Sequence, residues 1–159
     1  SLTAVTHTVR PNGVTIYSLL EDKVVLVRQY RYPLGGYVYE FPAGLVEPGE
    51  DIADAAVREM YEETGLVFAP IASPFSRPCF SSVGMTDESC CLVFGRCQGT
   101  PTSIHQENTE DIQVVLADRA ECRRILVQEQ VAIQCAYMLM HFVSSQDNPF
   151  AFLEGEHHV

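Results

Sequence analysis

Glu59, Glu62 and Glu63 stand at i, i+3 and i+4, a spacing that on a helix gathers all three carboxylates on one face. Three like charges held this close repel one another until a cation neutralises them. Carboxylate oxygens are hard ligands, so the matching ion is Mg²⁺, with Mn²⁺ as the alternative. The same spacing also occurs on ordinary solvated helix faces, because glutamate is a good helix former. The flanking residues separate the two possibilities. Pro42, Gly44, Pro48 and Gly49 punctuate a loop ahead of the acids. Glu50 or Asp51 can cap a helix there. Ala53, Ala56, Val57 and Met60 then form an apolar stripe at i, i+3, i+4 and i+7, and Gly65 is placed to end the helix in a left-handed turn. Loop, helix and acidic face therefore form one unit.

The unit spans 23 residues, Gly44-x5-Glu50-x7-Arg58-Glu59-Met60-x-Glu62-Glu63-x-Gly65-Leu66. It resembles the Nudix box, G-x5-E-x7-R-E-U-x-E-E-x-G-U with U a bulky aliphatic residue, and meets every fixed position. The resemblance implies a divalent-cation-dependent hydrolase of nucleoside diphosphates linked to another moiety. It implies Glu59 and Glu63 as direct metal ligands and the Ala43 carbonyl as a backbone ligand. Glu62 would ligate a further ion or bridge to one through water, which places it among the catalytic candidates as well. Arg58 has two open roles: a partner that orients Glu50, or an i, i+4 surface bridge to Glu62. Gly44 and Gly65 read as backbone-geometry positions.

The flanks narrow the resemblance. Val27-Arg28-Gln29-Tyr30-Arg31-Tyr32-Pro33 and Tyr39-Glu40-Phe41-Pro42-Ala43-Gly44 resemble the ADP-ribose pyrophosphatase branch, with similarity from about Val24 to Val143 that weakens after Cys97. In that branch the position of Arg31 contacts the diphosphate and that of Glu40 the nucleoside end. The bland alternatives are a surface arginine for Arg31, and for Glu40 a carboxylate paired with Arg28 or Arg31. Arg28 and Glu88 are further substrate-side candidates, Glu88 matching an acidic position near the metals in some relatives. The branch's catalytic base is a glutamate on a loop after the box. Here Glu110 aligns best, just before Asp111-Ile112-Gln113-Val114, and Glu107 is the reserve; either can equally be a solvated loop acid. Tyr30, Tyr32, Tyr37 and Tyr39 offer a stacking face for a base or a core role.

Two departures stand out. Ser82-Val83-Gly84 replaces the usual Ser-Pro-Gly, so the loop shaping the terminal-ribose side differs. Only 27 residues precede Arg28, fewer than in members whose N-terminal strands exchange between subunits and help bind adenine. A homodimer is expected, with its mode and the adenine preference open. The expected reaction is hydrolysis of ADP-ribose to AMP and ribose 5-phosphate. GDP-mannose or another sugar nucleotide is the alternative substrate, and a non-catalytic ligand-sensing module the alternative class.

Composition agrees with a globular chain of one domain over residues 1–159, with Ser1-Leu2 and about Glu154 to Val159 set aside as candidate tag residues. The formal net charge is −11 and Lys23 is the only lysine, which argues against nucleic acid or an anionic membrane as partner. An anionic substrate then requires local cations. No run approaches 18 apolar residues and no signal-peptide pattern is visible. The six cysteines contain no C-x2-C pair, so buried reduced thiols and a cytosolic setting are expected rather than zinc.

The elements that must position these residues follow from hydrophobic period and turn signals. Strands are expected at Val14–Leu20, Lys23–Tyr32, Tyr37–Phe41, Glu88–Cys97 and Asp111–Leu116, with Val67–Phe75 extended. Helices are expected at Asp51–Thr64, Asp118–Val127 and Glu129–Val143, and Gln98–Glu110 as a polar loop. The fold class is α+β: a mixed sheet between helices, an α/β/α sandwich, which is also the Nudix fold.

Overall fold

Apolar, largely β-branched runs on both sides of the Glu21-Asp22 turn form a hairpin, with Glu21 taking the left-handed conformation at φ 56°. Its strands are β1 (Gly13–Leu20) and β2 (Lys23–Arg31). A computed structural model describes residues 11–72, 77–107 and 111–154, with only the backbone of Ala72. The further elements are β3 (Gly36–Glu40), β4 (Ala43–Leu45), α1 (Ile52–Thr64), β5 (Val67–Ala72), β6 (Cys79–Phe80), β7 (Ser89–Gln98), β8 (Ile112–Ala117), α2 (Arg119–Gln128) and α3 (Ile133–Ser144). Short 3₁₀ turns at Tyr32–Leu34 and Ala151–Leu153 complete the described chain. The first begins with Pro33 near its start and ends β2 one residue earlier than Tyr32.

The sheet is mixed. Its main path runs β3-β2-β1-β7-β5, and only β1 with β7 is parallel. β1 and β2 pair only at the hairpin end, Leu19 with Val24 and Leu20 with Lys23, and then diverge. β4 fills in beside the start of β1, while β3 and β8 flank β2 on its two edges. This divergence leaves β4 at a split in the sheet, facing α1. The short strands β4 and β6 carry no periodic signal and were absent from the expected elements.

Two apolar layers cover the sheet. On one face Val14, Ile16, Val25 and Phe68 pack against Ala55, Ala56 and Met60 of α1. On the other, Tyr17, Leu26 and Phe94 pack against Ile125 of α2 and Leu139 and Phe142 of α3. The α/β/α sandwich is thus present. Within α1 the buried stripe runs through Ala55, Ala56 and Met60, whereas Val57 is 37% exposed, a correction to the expected stripe. Ala56 lies at the middle of the buried face, and Val57, the next residue, is turned about 100° away from it toward the edge. Among the described residues no disulfide forms; Cys91, Cys97, Cys122 and Cys135 are buried and Cys79 is exposed. Burial pushes the Cys122 thiol up to about 12. Among the described residues no helix is long and apolar enough to cross a membrane.

Candidate active site

The acidic helix is fixed at both ends by its own sequence. Asp51 is the N-cap: its carboxylate accepts from the Ala53 N–H at 3.0 Å. Gly65 takes φ 74° and donates its N–H to the Tyr61 carbonyl at 2.8 Å. A Cβ there would stand 2.3 Å from the Thr102 methyl, so contact and conformation both require glycine. Between these ends the acids grade from wet to dry. The Glu62 side chain is 47% exposed and that of Glu59 13%, and Glu63 as a residue is 7% exposed.

Arg58 fills both roles the sequence left open. Its Nε and Nη2 grip Glu50 at 2.8 Å each, and its Nη1 donates to Glu59 at 2.8 Å and Glu62 at 3.2 Å. Nη2 also donates to the Leu45 carbonyl of β4 at 2.9 Å. One guanidinium therefore ties strand, loop and helix together. The fork holds the Glu50 carboxyl far below its usual range, at about 2, and raises Arg58 in return. Gly44 is equally constrained, because a Cβ there would lie 2.0 Å from Cδ of Glu59. The Glu59 carboxylate rests on bare backbone.

Together these residues line an open cleft of about 430 Å³: Ala43, Arg58, Glu59, Glu62, Glu63 and, from the loop before β8, Glu107. Glu107 is exposed and reaches the same cleft as the helix acids. Glu110, the better-aligned candidate, lies outside the described residues. The loop carrying Glu107 docks on the C-terminal end of α1. The Thr102 N–H donates to the Thr64 carbonyl at 2.8 Å, the Gln106 amide to the Glu63 carbonyl at 2.7 Å, and His105 stacks on Tyr61 at 4.3 Å. No pattern in the sequence marks Thr102, His105 or Gln106 in this way.

Ala43 also borders a second groove of about 290 Å³ lined by Arg31, Glu40, Ser81, Glu88 and the start of α3. Arg31 bonds Glu40 through Nε at 2.9 Å and Nη2 at 3.1 Å, and Gln29 donates to the same carboxylate at 2.7 Å. The bonds to Glu40, with the charges of Glu63 and Glu88 further off, raise the Arg31 pKa. Glu88 accepts from the Ser81 hydroxyl at 2.6 Å. Arg28 is not brought here. Three residues from Arg31, it falls on the other face of β2, lies 4.1 Å over the Tyr37 ring and donates to Gln113 at 3.1 Å. Tyr30 meets Tyr32 and Tyr37 edge to face, and Tyr39 is buried. Val83 of the departing Ser-Val-Gly turn is 83% exposed.

Comparison with known proteins decides the family. The model of the NUDIX domain matches residues 9–133, most of the chain. This chain belongs to the Nudix family. A Caenorhabditis elegans protein named as nudix hydrolase 2 is 38% identical over 148 residues, covering 91% of this chain and 60% of its own length. The Saccharomyces cerevisiae ADP-ribose pyrophosphatase is 39% identical over 88 residues, 52% of this chain and 37% of its own. This chain thus spans less than two thirds of the length of these relatives, and it resembles the ADP-ribose pyrophosphatase branch. Among solved structures, a NUDIX hydrolase from Nitrosomonas europaea superposes with a TM-score of 0.62 at 23% identity, covering 80% of this chain and 87% of that one, which supports the fold.

The Nudix box donors suit the divalent cation that the family generally uses. All are hard oxygens, they line one cleft, and the glycine beside Glu59 leaves the carboxylate room against the backbone. Among the described residues the acids share the cleft without closing into a ready cluster of three ligands, since Arg58 draws Glu59 and Glu62 toward itself.

Proposed function

We propose that this chain hydrolyses the pyrophosphate bond of a nucleoside diphosphate sugar, with ADP-ribose the first substrate and AMP and ribose 5-phosphate the products. The observation that carries this reading is the single cleft shared by Glu59, Glu62, Glu63 and Glu107, adjoining a groove that presents Arg31. Similarity to the yeast ADP-ribose pyrophosphatase supports the choice of ADP-ribose. Mg²⁺, or Mn²⁺ in its place, would be held by Glu59, Glu63 and the Ala43 carbonyl with Glu62 assisting, and would neutralise phosphate charge and acidify water.

The side chains supply the rest. A guanidinium carries five N–H donors, more than the Glu40 carboxylate can engage, so Arg31 has capacity for a diphosphate oxygen while Glu40 fixes its plane. Glu40 then borders the nucleoside end, and Glu88 is the further acid of this groove nearer the metals. A carboxylate in the cleft takes the proton of the attacking water, Glu107 from its position there or Glu110 from its alignment. Water adds across the P–O–P bridge, one phosphorus gaining the new oxygen and the other keeping the bridging one. Arg58 holds Glu50, Glu59 and β4 in register and touches no substrate. The setting is cytosolic, in keeping with cysteines that lack a C-x2-C pair, and the assembly is a homodimer.

The test is phosphate release, with an added phosphomonoesterase, from ADP-ribose, GDP-mannose, UDP-glucose and NADH side by side in Mg²⁺. Preference for ADP-ribose is expected. A different winner moves the substrate and keeps the chemistry. Tight binding with no turnover of any would replace the enzyme with a sensing module.

A further inference from the structure

The described loop ahead of β8 is held by more than its backbone. Gln106 Nε2 donates to two carbonyls at once, Glu63 at 2.7 Å and Ile112 at 3.1 Å. A carboxamide nitrogen has two hydrogens, and this geometry uses both. The acceptors lie on different elements: the last turn of α1, whose terminal carbonyls lack donors within the helix, and the first residue of β8. One side chain therefore ties the residue before Glu107 and the start of β8 to the helix that bears Glu59 and Glu63.

We infer that Gln106 is a positioning residue that sets the distance between the base-bearing loop and the metal-binding acids of the Nudix helix. This rests on the reading of the cleft as catalytic. A base works only when placed to within a fraction of an ångström of its water, and a misplacement near 1 Å costs on the order of 100-fold in rate. The neighbouring contacts, Thr102 on Thr64 and His105 on Tyr61, anchor the stem of the loop but do not reach β8. Gln106 alone among these three joins helix, loop and strand. The chemistry selects a neutral double donor: a glutamate of the same shape would set its oxygens against two carbonyl oxygens, and an apolar side chain would leave both acceptors without this donor.

The experiment compares Gln106→Met, which keeps length and loses the donors, with Gln106→Glu, which reverses the polarity. Steady-state kinetics and NMR amide exchange at Glu107 and Asp111 are measured on both. The expected result is a kcat lower by about 10- to 100-fold with KM within about twofold, since the groove that binds substrate is untouched. Exchange at Glu107 and Asp111 rises by about tenfold or more, while exchange in the first turns of α1 stays as in wild type. A wild-type kcat in Gln106→Met, or unchanged exchange at both amides, overturns the inference. If wild type turns over no sugar nucleotide, the proposed function falls, and the exchange data still decide whether the clamp exists. Should Gln106→Met not fold, Gln106→Asn, whose shorter amide cannot span both carbonyls, gives the same comparison.

Discussion

At the scale of single residues, the two candidate bases make distinct predictions. A base acts in the transition state and little in binding, so its loss lowers kcat and spares KM. Glu107 lines the cleft with the helix acids. Alignment favours Glu110. The Glu→Gln change at the true base should lower kcat by about 10²- to 10⁴-fold, and the same change at the other should leave it within about threefold. Steady-state rates on both variants separate them, and two unaffected variants would remove the loop from the chemistry. Arg31 carries the opposite signature. Its guanidinium is held flat by Glu40 at the edge of the second groove. A charged hydrogen bond to substrate is worth about 1.5–3 kcal/mol, so Arg31→Ala should raise KM for any diphosphate substrate by about tenfold or more. An unchanged KM would return Arg31 to an ordinary surface role. Arg28, over the Tyr37 ring on the other face, serves as the control.

At the scale of elements, β4 and α1 form the site by pressing backbone against carboxylate. The Cβ of Gly44→Ala would overlap the Glu59 carboxylate at 2.0 Å, with Arg58 already gripping that carboxylate from the other side at 2.8 Å. Glu59 must then swing away or β4 must retreat from β1. We expect kcat to fall at least about 100-fold with the fold retained, checked by circular dichroism beside the kinetics. Activity within a few-fold of wild type would show that Glu59 need not rest on Gly44. This contact was legible in the sequence only as a fixed glycine fifteen residues before a fixed glutamate, without the reason. The extent of the helix was legible, because a capping acid, the apolar stripe and Gly65 mark its start, face and end; the stripe itself was misplaced, with Val57 exposed and Ala55 buried. The strands of the hairpin and β7 were legible from their short apolar runs bounded by turn residues. β4 and β6 were not, since three- and two-residue strands have no period and exist through their partners in β1 and β7. The docking of Thr102, His105 and Gln106 was illegible for a related reason. It depends on which loop the sheet carries past the end of α1, a relation between elements that no local pattern encodes.

At the scale of the whole molecule, charge sets the balance. The chain carries 21 acidic residues against 10 lysines and arginines, and it places five glutamates, Glu47, Glu59, Glu62, Glu63 and Glu107, in one cleft. Within that cleft Arg58 supplies the local counter-charge, engaged with Glu50, Glu59 and Glu62. Folding without a further cation thus bears a repulsion that a bound divalent ion relieves, and an ion that binds the folded cleft far better than the unfolded chain stabilises the fold by mass action. At a free concentration about 100 times its Kd this amounts to about 2.7 kcal/mol, or about 5–10 °C in Tm for a chain of this size. Millimolar Mg²⁺ should therefore raise the Tm by that order, and a chelator should reverse it. Sodium chloride at equal ionic strength should reproduce only a small part, because screening acts on exposed pairs and little on Glu63 at 7% exposure. Glu63→Gln separates site binding from general screening. It removes one buried negative charge, so its Tm without metal should be at or above that of wild type, while its Mg²⁺-dependent rise should be largely lost. A rise as large in Glu63→Gln as in wild type would mean that the ion binds the acidic surface at large and that the cleft does not hold it.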